Sequence, residues 1–213
     1  MKITGAIFDM DGTILNSMDY WATAASEYLK AVGIVPPKDT DKVFLEDGMK
    51  KWYEITCPEI PFEKVSEGIY AIMEKHYSQD VQTKDGAKEM LERLKSHGVK
   101  MCLATATDRG AVERILSRLG IDSCFSRIFT SKEVGAGKRF PLIYEKALEF
   151  LGTDKETTYV FEDAFYAVHT AHKAGFKIIG IEEKYSSVPS VEIAPYCNYF
   201  LWSKDKYDIS FLE

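Results

Sequence analysis

Apolar residues run from Ile3 to Phe8 with only small interruptions and stop abruptly at Asp9, within the stretch AIFDMDGTIL. A short apolar run closed by a turn reads as a buried strand. From residue 83 onward, helix and strand patterns alternate. DGAKEMLERLKSHG carries Ala87, Met90, Leu91 and Leu94 at helical spacing and closes with Gly98, and VKMCLA follows as a short buried strand. RGAVERILSRLG repeats the helical pattern through Val112, Ile115, Leu116 and Leu119 and stops at Gly120. RIFT reads as a short strand, and Pro141 opens the helix PLIYEKALEFLG, where proline suits the first turn. The strand TYVF, the helix AFYAVHTAHKAG and the strand FKIIGI complete the series. Repeated strand–helix–strand units predict an α/β fold, a Rossmann-like parallel sheet with helices on both faces. Ligands of such sheets sit beyond the carboxyl ends of the strands.

Residues 16–80 break the alternation. SMDYWATAASEYLKAVG places Met18, Trp21, Ala22, Ala25, Leu29 and Val32 on one helix face, and FEKVSEGIYAIMEKHY does the same with Phe62, Val65, Ile69, Ile72 and His76. A weaker helical segment around KVFLEDGMKKWYEIT lies between them. The expected organisation is an all-helical cap at 16–80 inserted into an α/β core formed by 1–15 and 81–213, hanging over the strand ends as a lid does.

Composition narrows the function. Charged residues make up 28% and hydrophobic residues 46% of the 213-residue chain, the balance of an ordinary globular protein. A net charge of -6 with no Lys/Arg block argues against nucleic acid as a partner. No run approaches the roughly 20 apolar residues of a membrane helix, so no membrane partner is expected. MKITGAIF is too short for the apolar region of a signal peptide. Cys57, Cys102, Cys124 and Cys197 are scattered and form no CxxC, consistent with reduced thiols and a cytoplasmic location. The chain is expected to act as a monomer or a weak homo-oligomer.

Four places converge on one edge of the predicted sheet: Asp9 and Asp11 after the first strand, Thr105 with Ala106 after VKMCLA, Lys138 in GAGKRF, and Glu162 with Asp163 after TYVF. Four carboxylates and one ammonium in a small cleft repel unless some are protonated or a cation sits among them. Oxygen ligands with no His or Cys nearby favour Mg²⁺, which completes its shell with water and phosphate oxygens. In that frame Asp9 can attack phosphorus, and Asp11 can donate a proton to the leaving alcohol and then activate water. Thr105 offers a hydroxyl to a phosphoryl oxygen, with Ala106 beside it, and Lys138 offsets the charge of nucleophile and phosphate. Glu162 and Asp163, with Asp9 and Asp11, are the expected metal ligands, Asp163 the stronger choice for direct ligation. Taken singly, each has a plainer reading. A lone DxD is a common turn, Thr107 could replace Thr105, Arg139 could replace Lys138, and Glu162–Asp163 could simply favour a helix amino end. GAGK fails the P-loop pattern because Lys132 stands at its first glycine and Arg139 follows the lysine. His169 and His172 stand three apart on a helix but outside its apolar stripe, which suits surface residues.

In this order, FDMDGT, Thr105, Lys138 and FEDA resemble the four motifs of the haloacid dehalogenase superfamily, with a likeness reaching from about residue 5 to 202. DGAKEMLERLKSHGVKMCLAT and VFEDAFYAVHTAHKAGFKIIGI are similar to its branch of β-phosphoglucomutases and small sugar phosphatases. The resemblance implies a Rossmann-like core, a helical cap after the first motif and Mg²⁺-dependent phosphoryl transfer. It makes Asp9 the nucleophile, and Asp11 the acid/base whose backbone carbonyl also meets the metal. The chain departs from the pattern at Asn16, commonly Asp. It also has Arg139 and Phe140 before Pro141, where proline usually follows the lysine, and Ala164 and Ala167, usually Ser and Gly.

Within that family the expected activity is hydrolysis of a small phosphorylated metabolite, a sugar phosphate above all. A phosphosugar mutase is the alternative. The mutases place a histidine in the first cap helix, where this chain has Trp21 flanked by Tyr20 and Ala22, which favours hydrolysis. Dehalogenases of the superfamily lack the second Asp, and a silent binding protein is at odds with intact Asp9, Asp11, Lys138 and Asp163. Substrate choice is expected in the cap, with Trp21, Lys50 and Lys51 as candidates beside Trp52 and Tyr53. The plainer reading makes the tryptophans cap core and the lysines solvated.

Overall fold

All four residues of the first strand, Gly5–Phe8 (β1), are buried, as an uninterrupted apolar run requires of a central strand. In chain order there follow α1 (Met18–Ala31), α2 (Thr40–Asp47), α3 (Met49–Thr56), α4 (Phe62–Gln79), α5 (Ala87–Ser96), β2 (Lys100–Thr105) and α6 (Arg109–Leu119). Then come β3 (Arg127–Thr130), α7 (Ser131–Val134), α8 (Leu142–Leu151), β4 (Thr158–Glu162), α9 (Phe165–Lys173), β5 (Lys177–Ile181), α10 (Ser190–Ile193) and β6 (Tyr199–Leu201). These come from a computed structural model, which describes residues 3–210 apart from the side chains of residues 46 and 47. The chain divides into two compact units, one reaching to Asn16 and resuming at Gln82, the other spanning Ser17–Val81.

In the first unit six strands form a wholly parallel sheet in the order β3-β2-β1-β4-β5-β6. The chain winds outward from β1 through β2 to β3, then returns to lay β4, β5 and β6 on the other side. The winding reverses between β1 and β4, the point beyond whose strand ends ligands of such sheets bind. Ile7, Cys102, Val160 and Ile178 from successive strands pack with Tyr144 and Ala147 of α8 and Val168 and Ala171 of α9. At this reversal Phe8 stacks on Phe161 with ring centroids 4.2 Å apart. The sequence pattern ends the series at FKIIGI, whereas β6 adds a sixth strand. Its three residues lie at the sheet edge, two of them half-buried, too short to show a period.

Among the described residues of the second unit the regular elements are helices, α1 to α4, joined by turns. Trp52 is fully buried there, its indole N–H donating to Thr40 Oγ1 at 2.8 Å and its ring edge-on to Phe44. The single helical segment expected between α1 and α4 is two helices, because Gly48 takes φ 85°, a left-handed value that ends α2 and starts α3. No helix among the described residues is long and apolar enough to cross a membrane.

Candidate active site

Parallel pairing sets Phe8 opposite Phe161, so the next residues, Asp9 and Glu162, emerge side by side at the winding reversal. The Asp9 N–H donates to the Phe161 carbonyl at 3.0 Å, extending the ladder by one residue and aiming the carboxylate past the sheet. One oxygen from each of Asp9, Glu162 and Asp163 lies within 4.8 Å of the others, and all three residues are buried. Into this group reaches Lys138, 4% exposed, from the turn ahead of α8. Its ammonium donates to Asp9 Oδ1 and, at 2.7 Å, to Glu162 Oε1.

The two carboxylates at the end of β4 are held differently. Glu162 Oε1 also accepts the Tyr144 hydroxyl at 3.0 Å, while Oε2 accepts the backbone N–H groups of Asp163 and Ala164 at 3.1 and 3.3 Å. Asp163 Oδ1 accepts the Thr13 hydroxyl at 2.7 Å. Asp11 stands outside the three-carboxylate group and accepts the Thr107 hydroxyl on Oδ2 at 2.7 Å. Thr105, at the end of β2, is buried and accepts the Thr107 N–H on its hydroxyl at 3.1 Å, while Ala106 between them is exposed.

Electrostatics follow from crowding four carboxylates against one ammonium. Burial raises the Asp9 carboxyl well above its ordinary value; Lys138 opposes this, and Glu162, Asp163 and Asp11 reinforce it. Burial, then the charge of Glu162, pushes Asp163 up to about 7. Burial works against the charged form of Lys138, but Asp9 and Glu162 outweigh it and hold the ammonium above its usual range. The cluster is therefore oversupplied with negative oxygen donors, the condition a hard divalent cation relieves.

Among the alternatives left open by the sequence, Arg139 is exposed and lies over the Tyr166 ring, 4.8 Å from its centroid, while Lys138 is the residue on Asp9. Thr107 serves Asp11. His169 is half-buried and His172 exposed, its Nδ1 at 3.1 Å from the Tyr196 carbonyl oxygen. Trp21, Lys50 and Lys51 belong to the helical unit, where Trp21 donates its indole N–H to the Tyr77 hydroxyl at 3.1 Å and both lysines are exposed. Sequence reasoning gave no part to Tyr144 or Thr13. Tyr144 reads as an ordinary core residue of its helix, whereas Thr13, which closes FDMDGT, could have been found from its place in the motif.

The sequence profile of the haloacid dehalogenase-like hydrolases matches residues 6–181, and the chain belongs to this family. It is 29% identical to a phosphorylated carbohydrates phosphatase of Thermotoga maritima over 81% of this chain and 82% of that protein. It is 26% identical to the pyrophosphatase PpaX of Bacillus mycoides, over 85% and 84% of the two chains. The fold is shared with the crystal structure of a putative β-phosphoglucomutase from Thermotoga maritima, with TM-score 0.77 and 23% identity over 97% and 96% of the chains. The protein is a phosphatase, a hydrolase acting on phosphoric monoesters.

Proposed function

We propose that the protein releases phosphate from a small phosphorylated metabolite of the sugar phosphate class, with Mg²⁺ bound and through a phosphoryl group carried on Asp9. The observation that carries this reading is the Lys138 ammonium buried between Asp9 and Glu162 at the winding reversal. Such a cation lowers the cost of bringing a phosphate dianion to a carboxylate nucleophile. Asp9 attacks phosphorus, the ester P–O bond breaks, and Asp11 gives its proton to the departing alkoxide. Water then attacks the same phosphorus, losing a proton to Asp11, and phosphate and free Asp9 result. Thr107, on Asp11 Oδ2, orients the acid/base. Thr105 accepts its bond from the Thr107 N–H and keeps its own proton for a phosphoryl oxygen. Lys138 keeps Asp9 in the attacking orientation.

The donor set suits Mg²⁺, which would be held by Asp9, Asp163 and the Asp11 carbonyl and would supply charge neutralisation at the transferring phosphoryl group. Glu162 has both oxygens engaged by Lys138, Tyr144 and backbone N–H groups, so its proposed role is to position Lys138. The sugar phosphate class rests on the relative from Thermotoga maritima. Hydrolysis rather than transfer within the sugar is favoured by Trp21, which stands where the mutases place a cap histidine and donates its indole N–H to Tyr77. Trp21, Lys50 and Lys51 remain the proposed specificity residues of the helical unit. A panel of sugar phosphates and other small phosphomonoesters, assayed for phosphate with Mg²⁺ and with excess chelator, tests the reading. Release from a sugar phosphate that stops with the chelator is expected; isomer conversion without free phosphate would make the protein a mutase instead.

The same charges set a pH dependence. Asp163 is raised in the fold to about 7 from 3.8, so between those values the folded chain binds more protons than the unfolded one. Without a divalent cation the contribution of Asp163 to stability is therefore greatest in acid and is lost as pH rises through about 7. The metal-free melting temperature is expected to fall from mildly acid to mildly alkaline pH, and added Mg²⁺ should raise it most at the alkaline end. A metal-free melting temperature that climbs over that range contradicts the assignment of Asp163.

A further inference from the structure

Tyr207 lies well past residue 181, where the family match ends, yet it reaches the first motif. It is 8% exposed, and its hydroxyl donates to the backbone carbonyl of Thr13. Thr13 is fully buried, and its hydroxyl in turn donates to Asp163 Oδ1 at 2.7 Å. One residue thus takes a bond from the carboxyl-terminal segment and passes one to a proposed metal ligand.

The backbone at Lys206 and Tyr207 is strained. Lys206 and Tyr207 have φ of 44° and 58°, consecutive side-chain-bearing residues in the left-handed region. Such conformations cost on the order of 1–3 kcal/mol each and persist where surrounding contacts over-determine them. The surroundings here are built to receive them. A Cβ on Gly86 would come within 2.0 Å of the Lys206 carbonyl oxygen, so only glycine lets the segment settle. The turn carrying Gly86 is itself tied to the first motif, since the Lys84 N–H donates to the Ile14 carbonyl at 2.8 Å. A buried tyrosine hydroxyl needs an acceptor, and the one it meets here is the Thr13 carbonyl on the motif loop.

We infer that Tyr207 is a positioning residue for the metal site: by holding the Thr13 carbonyl it keeps the Thr13 hydroxyl on Asp163, so that this carboxylate meets the cation in one orientation. The inference rests on the proposed Mg²⁺ role of Asp163. Groups that orient metal ligands in this way typically change metal affinity by roughly 10–100-fold.

The experiment is Mn²⁺ binding to the whole protein, read by electron paramagnetic resonance of the free ion, with Mg²⁺ as competitor. Wild type is compared with Tyr207→Phe, which removes only the hydroxyl. The second comparison is Ile209→Val, which trims a buried residue of the same segment and leaves the hydroxyl in place. About tenfold weaker binding in Tyr207→Phe, with Ile209→Val like wild type, is the expected result. Equal affinity in Tyr207→Phe and wild type overturns the inference and leaves the proposed function standing. Equal weakening in both variants also overturns it, by making the segment a general support. No ion bound by wild type overturns the Mg²⁺ reading of Asp163 and this inference with it.

Discussion

Replacing Asp9 by asparagine is expected to abolish phosphate release and to leave the fold at least as stable as before. The activity loss follows from the role proposed for the residue. An amide oxygen is a poor nucleophile, and no other carboxylate on the site shares the Lys138 ammonium except Glu162, whose oxygens are committed elsewhere. Loss of a covalent nucleophile costs on the order of 10⁵-fold or more. Stability behaves oppositely because the charge on Asp9 is itself unfavourable. Burial and the neighbouring Glu162, Asp163 and Asp11 all raise its carboxyl, against Lys138 alone. Asparagine keeps the shape, removes that repulsion, and leaves Lys138 bound to Glu162 at 2.7 Å. Phosphate release and a melting curve on the metal-free variant check both halves. Residual activity within tenfold of wild type would remove Asp9 from the nucleophile's place, and a lower melting temperature would show that the Asp9–Lys138 attraction exceeds the crowding.

The parts of this site that could be read in the sequence are those whose chemistry is unusual for their place. A carboxylate at the end of an all-apolar run, as at Asp9, has few plain explanations once Glu162–Asp163 recur at another strand end and Lys138 follows in a glycine-rich turn. The parallel sheet was legible for the same reason, since β1, β2, β4 and β5 are apolar runs between helical patterns. Residues that act through tertiary approach could not be read in this way. Tyr144 sits in PLIYEKALEFL as one more core residue, and only the packing of α8 turns its hydroxyl onto Glu162. Tyr207 lies 194 residues from Thr13, and no local pattern links them. The break at Gly48 was hidden because a glycine inside a helical pattern costs only about 1 kcal/mol and is often tolerated.

Lys138→Met is expected to lower activity by about 10³-fold and, unlike Asp9→Asn, to destabilise the protein in a pH-dependent way. The methionine has similar length, so the cavity stays filled, but Asp9 and Glu162 lose the ammonium that joins them. Removing one partner of a buried pair costs roughly 3–5 kcal/mol when the other must stay charged. Here part of that cost is avoidable, because Asp9 without its cation takes up a proton. Its folded-state value, already raised by burial against the pull of Lys138, rises further when that pull is removed, so the folded variant binds extra protons. Its stability is retained in acid and lost as pH rises. Chemical denaturation of the metal-free variant and wild type should therefore show a gap that is small near pH ~5 and widens toward pH ~8. A gap independent of pH would mean that Lys138 contributes packing rather than charge. Asp9 would then have no electrostatic partner with which to receive a phosphate dianion, and the catalytic reading of the site would fail at its centre.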